Sequence, residues 1–144
     1  YSALQSNLLR KEYERQNGFQ YDVVVRTRFD TALLKPVIIE GLDERTFVGI
    51  DAIDSREKLC DWFYYSDGYA MDFAFNSYHD LDMYKDNLTT FCGEDILLDR
   101  IKKMNYEKQK LYPGLEGENL VLIRQTDMHP KAWVCYKDLP IIEG

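Results

Sequence analysis

With 144 residues, the chain is long enough for one domain with a proper core and too short for two. Its formal net charge of -7 leaves no Lys/Arg surplus to neutralise phosphates. That excludes a general nucleic-acid binder but allows a local basic pocket. No apolar run is long enough to span a bilayer.

Three cysteines, Cys60, Cys92 and Cys135, are widely spaced and include no Cys-x-x-Cys pair. Neither a disulfide framework nor a zinc site is suggested, and reduced thiols in a cytoplasmic protein are expected. Asn87-Leu88-Thr89 fits the N-glycosylation pattern, which matters only in a secreted protein. The 11 Tyr and 7 Phe could line a sugar cleft, but most are expected in the core.

Tyr1, Leu4 and Leu8, with Leu9 and Tyr13, repeat at helical spacing opposite Lys11, Glu12, Glu14 and Arg15. Asn17-Gly18 is a helix stop, since glycine takes the left-handed C′ conformation. The continuous run Val23-Val24-Val25 within residues 21–26 predicts a strand buried on both faces, central in a largely parallel sheet. Ligands gather outside the carboxyl ends of such strands. Arg26, Arg28 and Asp30 therefore stand where an anionic ligand and its metal ion are expected, with Asp30 facing a cleft. Arg28 and Asp30 could equally form an ordinary ion pair.

Phe47-Val48-Gly49-Ile50 is a further strand, and residues 51–60 read as a surface loop or short helix. Met71, Phe73 and Phe75 alternate at period two, predicting a strand. A helix is expected over 78–86, with Ser77 as its N-cap. Ile96, Leu97, Leu98, Ile101 and Met104 form the stripe of a clear helix ending in Lys102 and Lys103. Residues 108–119 read as a loop and Leu120-Val121-Leu122-Ile123 as a buried strand.

Three further groups could carry chemistry. Asp67 and Asp72 flank the aromatic segment Trp62-Phe63-Tyr64-Tyr65, a mix that can cradle a sugar. Asp67-Gly68 is equally a hairpin turn signal. Glu94 and Asp95 open the late helix, where the macrodipole favours acids but where a general base would also be well placed. Of the two histidines, His79 is expected exposed and His129, beyond a buried strand, is the better metal ligand candidate.

Tyr21-Asp22-Val23-Val24-Val25-Arg26-Thr27-Arg28-Phe29-Asp30 resembles the YD-hydrophobic-R-x-R-x-D signature of bacterial and viral glycosyltransferase-like proteins of surface polysaccharide synthesis. Asp72-Phe73-Ala74-Phe75-Asn76-Ser77 resembles their D-x-F-A-x-G-S strand. Gly93-Glu94-Asp95-Ile96-Leu97-Leu98 is similar to the acidic start of their late helix, and Leu120 to Arg124 to their closing strand. The resemblance implies an α/β fold of the GT-A type, a mixed, mostly parallel sheet with flanking helices. It also implies sugar transfer from a nucleotide donor to a glycan acceptor.

In that scheme Asp30 binds Mg²⁺ or Mn²⁺ and the donor diphosphate, Arg26 or Arg28 contacts phosphate, and Asp95 or Glu94 is the base. Arg28 stands where the first Asp of the family's D-x-D element would be, and Asn76 replaces the Gly before Ser. Such enzymes carry a nucleotide-binding half ahead of this point, so residues 1–144 are expected to be a single glycosyltransferase-like domain lacking that half. The location implied is the cytoplasm, at most the inner face of the membrane. A second reading is a non-catalytic carbohydrate- or sugar-nucleotide-binding module.

Overall fold

The computed structural model describes residues 2–39, 42–52, 55–87, 92–115, 120–124 and 133–135. Helix α1 (Ser2–Asn17) leads into β1 (Val24–Thr27) and β2 (Thr31–Leu33), then β3 (Thr46–Ala52) and the long β4 (Ser55–Ser66). Next come α2 (Gly68–Phe75), a 3₁₀ segment (Asn76–Asp80), α3 (Leu81–Asn87), α4 (Gly93–Lys103), β5 (Glu107–Leu115), β6 (Leu120–Arg124) and β7 (Trp133–Cys135). The fold is mixed α/β, with small mixed sheets and flanking helices. Among the described residues, no helix is long and apolar enough to cross a membrane.

The main sheet has the order β1-β4-β3-β5 and the smaller one β2-β6-β7. β4 pairs antiparallel with both β1 and β3, β2 is antiparallel to β6, and among the described residues only β3–β5 and β6–β7 run parallel. The expectations of a mostly parallel sheet and of a central strand over 21–26 are both corrected. β1 is an edge strand, paired from Val24↔Ser66 to Thr27↔Phe63. Val24 is buried while Val25 is 43% exposed, so the valine run reflects preference for a pleated surface rather than burial on two faces.

Side chains of β3 and β4 divide between two cores. Phe47, Leu59 and Tyr64 pack with Ala70, Met71, Ala74 and Phe75 of α2 and Leu97 and Ile101 of α4. Val48, Ile50, Cys60, Phe63 and Tyr65 form the second cluster, with Trp62 partly buried against it. Gly49 is closely overlain by Leu59 and Tyr64, where a Cβ would be tight.

Helix ends follow local chemistry. Gly18 has φ 68° and Phe19 N–H donates to the Glu14 carbonyl, closing α1 as expected. At the end of α4, Asn105 takes φ 57° while its N–H and that of Tyr106 donate to the carbonyls of Lys102 and Ile101. This left-handed cap turns the chain directly into β5.

Other local expectations are overturned. Residues 55–66 are strand rather than loop or short helix, and 107–115 are strand rather than loop. Residues 68–75 are helix rather than strand: Ala70, Met71, Ala74 and Phe75 share one buried face, a 3.6-residue rhythm that outweighs the period-two reading. Ser77 lies inside the 3₁₀ segment, so it does not cap a helix over 78–86. The apolar stripe of α1 is corrected too, since among its described residues only Leu4 is buried while Leu8, Leu9 and Tyr13 are about half exposed or more.

Candidate functional site

The β1 edge does not provide the strand end at which parallel sheets collect ligands, so a site here must stand on its side chains. Arg26, half-buried on β1, donates from Nη1 to the Asp61 carbonyl, and its guanidinium lies 5.4 Å from the Tyr64 ring centre. Among the described residues it has no carboxylate in ion-pair contact. A guanidinium that is partly desolvated and makes no direct ion pair is suited to binding an anion.

Arg26 lines two adjoining cavities that also share Ala3 and Phe75. The larger, about 610 Å³, is walled by Val25, Thr27, Arg28 and the fully exposed Phe29 from the β1 edge, and by Ser2 and Ser6 of α1. The smaller, about 110 Å³, adds Asp61, Tyr64, Ser77 and Gly93. Asp61 extends over the start of α4, where a Cβ on Gly93 would overlap its Oδ2. Burial, and secondarily the charge of Glu94, push the Asp61 carboxyl above the ordinary carboxylate value, against the pull of Arg26 and Arg28. Burial also pushes the Tyr64 hydroxyl up to about 12, so that it stays a neutral wall group.

The expected site residues are only partly brought together. Arg26 and Arg28 share the larger cavity. Both oxygens of Asp30 are engaged by Arg28, Nε and Nη2 each at 2.9 Å, and this hydrogen bonding raises the Arg28 pKa further. That is the ion-pair alternative at the end of β1. Asp95 accepts from Lys58 Nζ at 2.8 Å and from the Cys92 thiol at 3.0 Å, tying α4 to β4. Neither Asp30 nor Asp95 is in the walls of the two cavities. Glu94 bears on them only through its field at Asp61.

Asp67 and Asp72 serve the scaffold. Asp67 is the N-cap of α2, accepting from Ala70 N–H at 2.8 Å, and its other oxygen accepts from the Tyr106 hydroxyl at 2.6 Å. The hairpin turn expected at Asp67-Gly68 is thus a helix start. Asp67→Ala is expected to lower stability by about 1–2 kcal/mol, measured by urea unfolding; an unchanged midpoint would show the cap to be dispensable. Asp72 is held by Asn7, Arg10 and Lys11 of α1. Asn76, which stands where the family has Gly, ends α2 with φ -72°, in the right-handed region open to any residue.

Asp61 was not among the sequence candidates. One signal was available, a lone acid inside the apolar and aromatic run Leu59-Cys60-Asp61-Trp62-Phe63. His129 lies outside the described residues. Among the described residues no three His, Cys, Asp or Glu side chains converge as metal ligands, and Asp30 faces a cation already. These donors do not fit Mg²⁺ or Mn²⁺. Compared with known proteins, the chain matches no family model, no curated protein and no solved structure.

Proposed function

We propose that the Arg26–Arg28 cleft binds the phosphate-bearing end of a nucleotide sugar, and that the chain is a glycosyltransferase-like protein serving a glycan acceptor. The binding half of this reading rests on one observation, the half-buried Arg26 guanidinium that, among the described residues, has no carboxylate in ion-pair contact and stands at the junction of two cavities. The larger cavity has the volume of a small-molecule site. The transfer half, with its GT-A ancestry, rests on the ordered motifs from Tyr21 to Arg124. A cytoplasmic location, where nucleotide sugars are made, goes with it.

A specific observation favours the non-catalytic binding module as a second reading. Asp30 is held by Arg28 and Asp95 by Lys58, so neither is presented to a reacting hydroxyl. Calorimetric titration with uridine and guanosine diphosphate sugars tests the binding. Arg26→Ala is expected to weaken the best ligand about 10- to 100-fold, the loss of one charge-assisted contact. Equal heats for parent and variant would remove Arg26 from the site. Release of nucleoside diphosphate by the parent would support transfer, and binding without release the module.

A further inference from the structure

We propose that Asp61 selects the ligand of this cleft: its carboxylate accepts a hydroxyl of a glycosyl phosphate whose phosphate is held by Arg26. The same carboxylate repels phosphates that bring no hydroxyl. The proposal rests on the Arg26 reading and names the substrate class of that site.

Three features converge on Asp61. Its side chain and that of Arg26 wall the same small cavity, yet among the described residues they form no ion pair. Its neighbours along the strand, Leu59, Cys60, Trp62 and Phe63, are apolar or aromatic, which makes Asp61 the one acid in that run. The start of α4 bears Gly93 where a Cβ would collide with the carboxylate. The remaining walls from α1 and α2, Ala3, Ala74 and Phe75, are apolar and carry no charge.

The electrostatics agree with the geometry. Arg26 and Arg28 from the β1 edge favour the ionised carboxylate, while burial and Glu94 from α4 oppose it and prevail. An under-stabilised carboxylate gains most from a hydroxyl donor. Next to Arg26, a bare phosphate would meet attraction and repulsion at once. A phosphate carrying a hydroxyl meets a donor–acceptor match at both groups, selection by repulsion as well as by attraction.

The test is calorimetry on the full chain at pH 8, where phosphomonoesters are dianions. Glucose, galactose and mannose 1-phosphates are compared with methyl phosphate, which has the same charge and no hydroxyl. The best hexose 1-phosphate is expected to bind about 10-fold tighter than methyl phosphate. In Asp61→Asn and Asp61→Ser, the hexose phosphate weakens, methyl phosphate holds or improves, and the ratio falls towards one. The melting temperature of Asp61→Asn should equal or exceed that of the parent. A carboxyl raised in the folded state costs stability when ionised, and the amide removes that cost.

An unchanged ratio in both variants would overturn the selection while leaving the Arg26 site intact. A melting temperature lowered by several degrees, or failure of both variants to fold, would make Asp61 structural and overturn it too. If none of these phosphates binds the parent, the Arg26 reading fails and the selection falls with it.

Discussion

Replacing Arg100 with alanine is expected to cost about 3 kcal/mol of stability, the low end for breaking a buried ion pair. Arg100 is 2% exposed and joins α4 to two preceding segments. Its Nη1 donates to the Phe73 carbonyl at 2.5 Å and Nη2 pairs with Asp80. The guanidinium lies 4.5 Å from the Phe73 ring centre and 5.8 Å from that of Tyr84. Alanine would orphan the Phe73 carbonyl and leave a cavity between α2, α3 and α4. The low end is chosen because Asp80 is 47% exposed and can be rehydrated. Arg100→Met should be milder, since the stem packing survives and no charge is buried. Urea unfolding decides: a loss below about 1 kcal/mol for alanine would show that the network contributes little net stability.

Asp72→Ala is expected to loosen α1, at about 2 kcal/mol. One carboxylate, 27% exposed, receives Asn7 Nδ2 and Lys11 Nζ at 2.8 and 2.7 Å and also pairs with Arg10. Arg10 continues to Asn7 Oδ1 and Glu14, and Glu14 accepts the Tyr21 N–H at 2.9 Å. The helix is thus docked by charge where its sequence promised a leucine stripe. Partial exposure and salt screening keep the loss below that of a fully buried pair. Hydrogen exchange should rise across residues 2–17 in the variant, and protection equal to the parent would assign the docking to Leu4 alone.

The pH dependence of the same contact has a definite sign. Burial would raise the Asp72 carboxyl, but hydrogen bonds from Lys11 and Asn7 and the charges of Lys11 and Arg10 outweigh it, leaving it below the ordinary value. A lowered carboxyl contributes its stability above the unfolded value, about 3.9, and loses it as pH falls through the folded one. The difference between parent and Asp72→Ala should therefore be full at neutral pH and shrink in acid below about pH 4. A difference that grew on acidification would contradict this account.

The elements that were legible share one property: their signals are local. Gly18 stops α1, and the stripe around Leu97 and Ile101 with its terminal lysines marks α4. Leu120–Arg124 is a strand as its apolar run implies. One misread segment carried two periodicities at once. Residues 68–75 satisfy period two through Met71, Phe73 and Phe75, and a helical face through Ala70, Met71, Ala74 and Phe75. The Asp67 cap, which accepts the Ala70 N–H, goes with the helix. Arg28–Asp30 was legible as a pair because the two residues lie within one turn, where Thr31 N–H donates to the Arg28 carbonyl.

By itself, then, the sequence determined the stop of α1 at Gly18, the late amphipathic helix, the closing strand and the clustering of charge around Arg26, Arg28 and Asp30. Capping and amphipathic periodicity are settled within a few residues of chain. The tertiary structure alone decided that β1 lies at an edge, that Asp72 clamps α1 and that Asp61 shares a cavity with Arg26. Asn7 and Asp72 meet across 65 residues, Arg26 and the Asp61 carbonyl across 35. No local pattern encodes which of many acids will reach a given cation. That choice is made by sheet order and helix placement, and with it whether a carboxylate clamps a helix, as Asp72 does, or lines a cavity with an arginine, as Asp61 does.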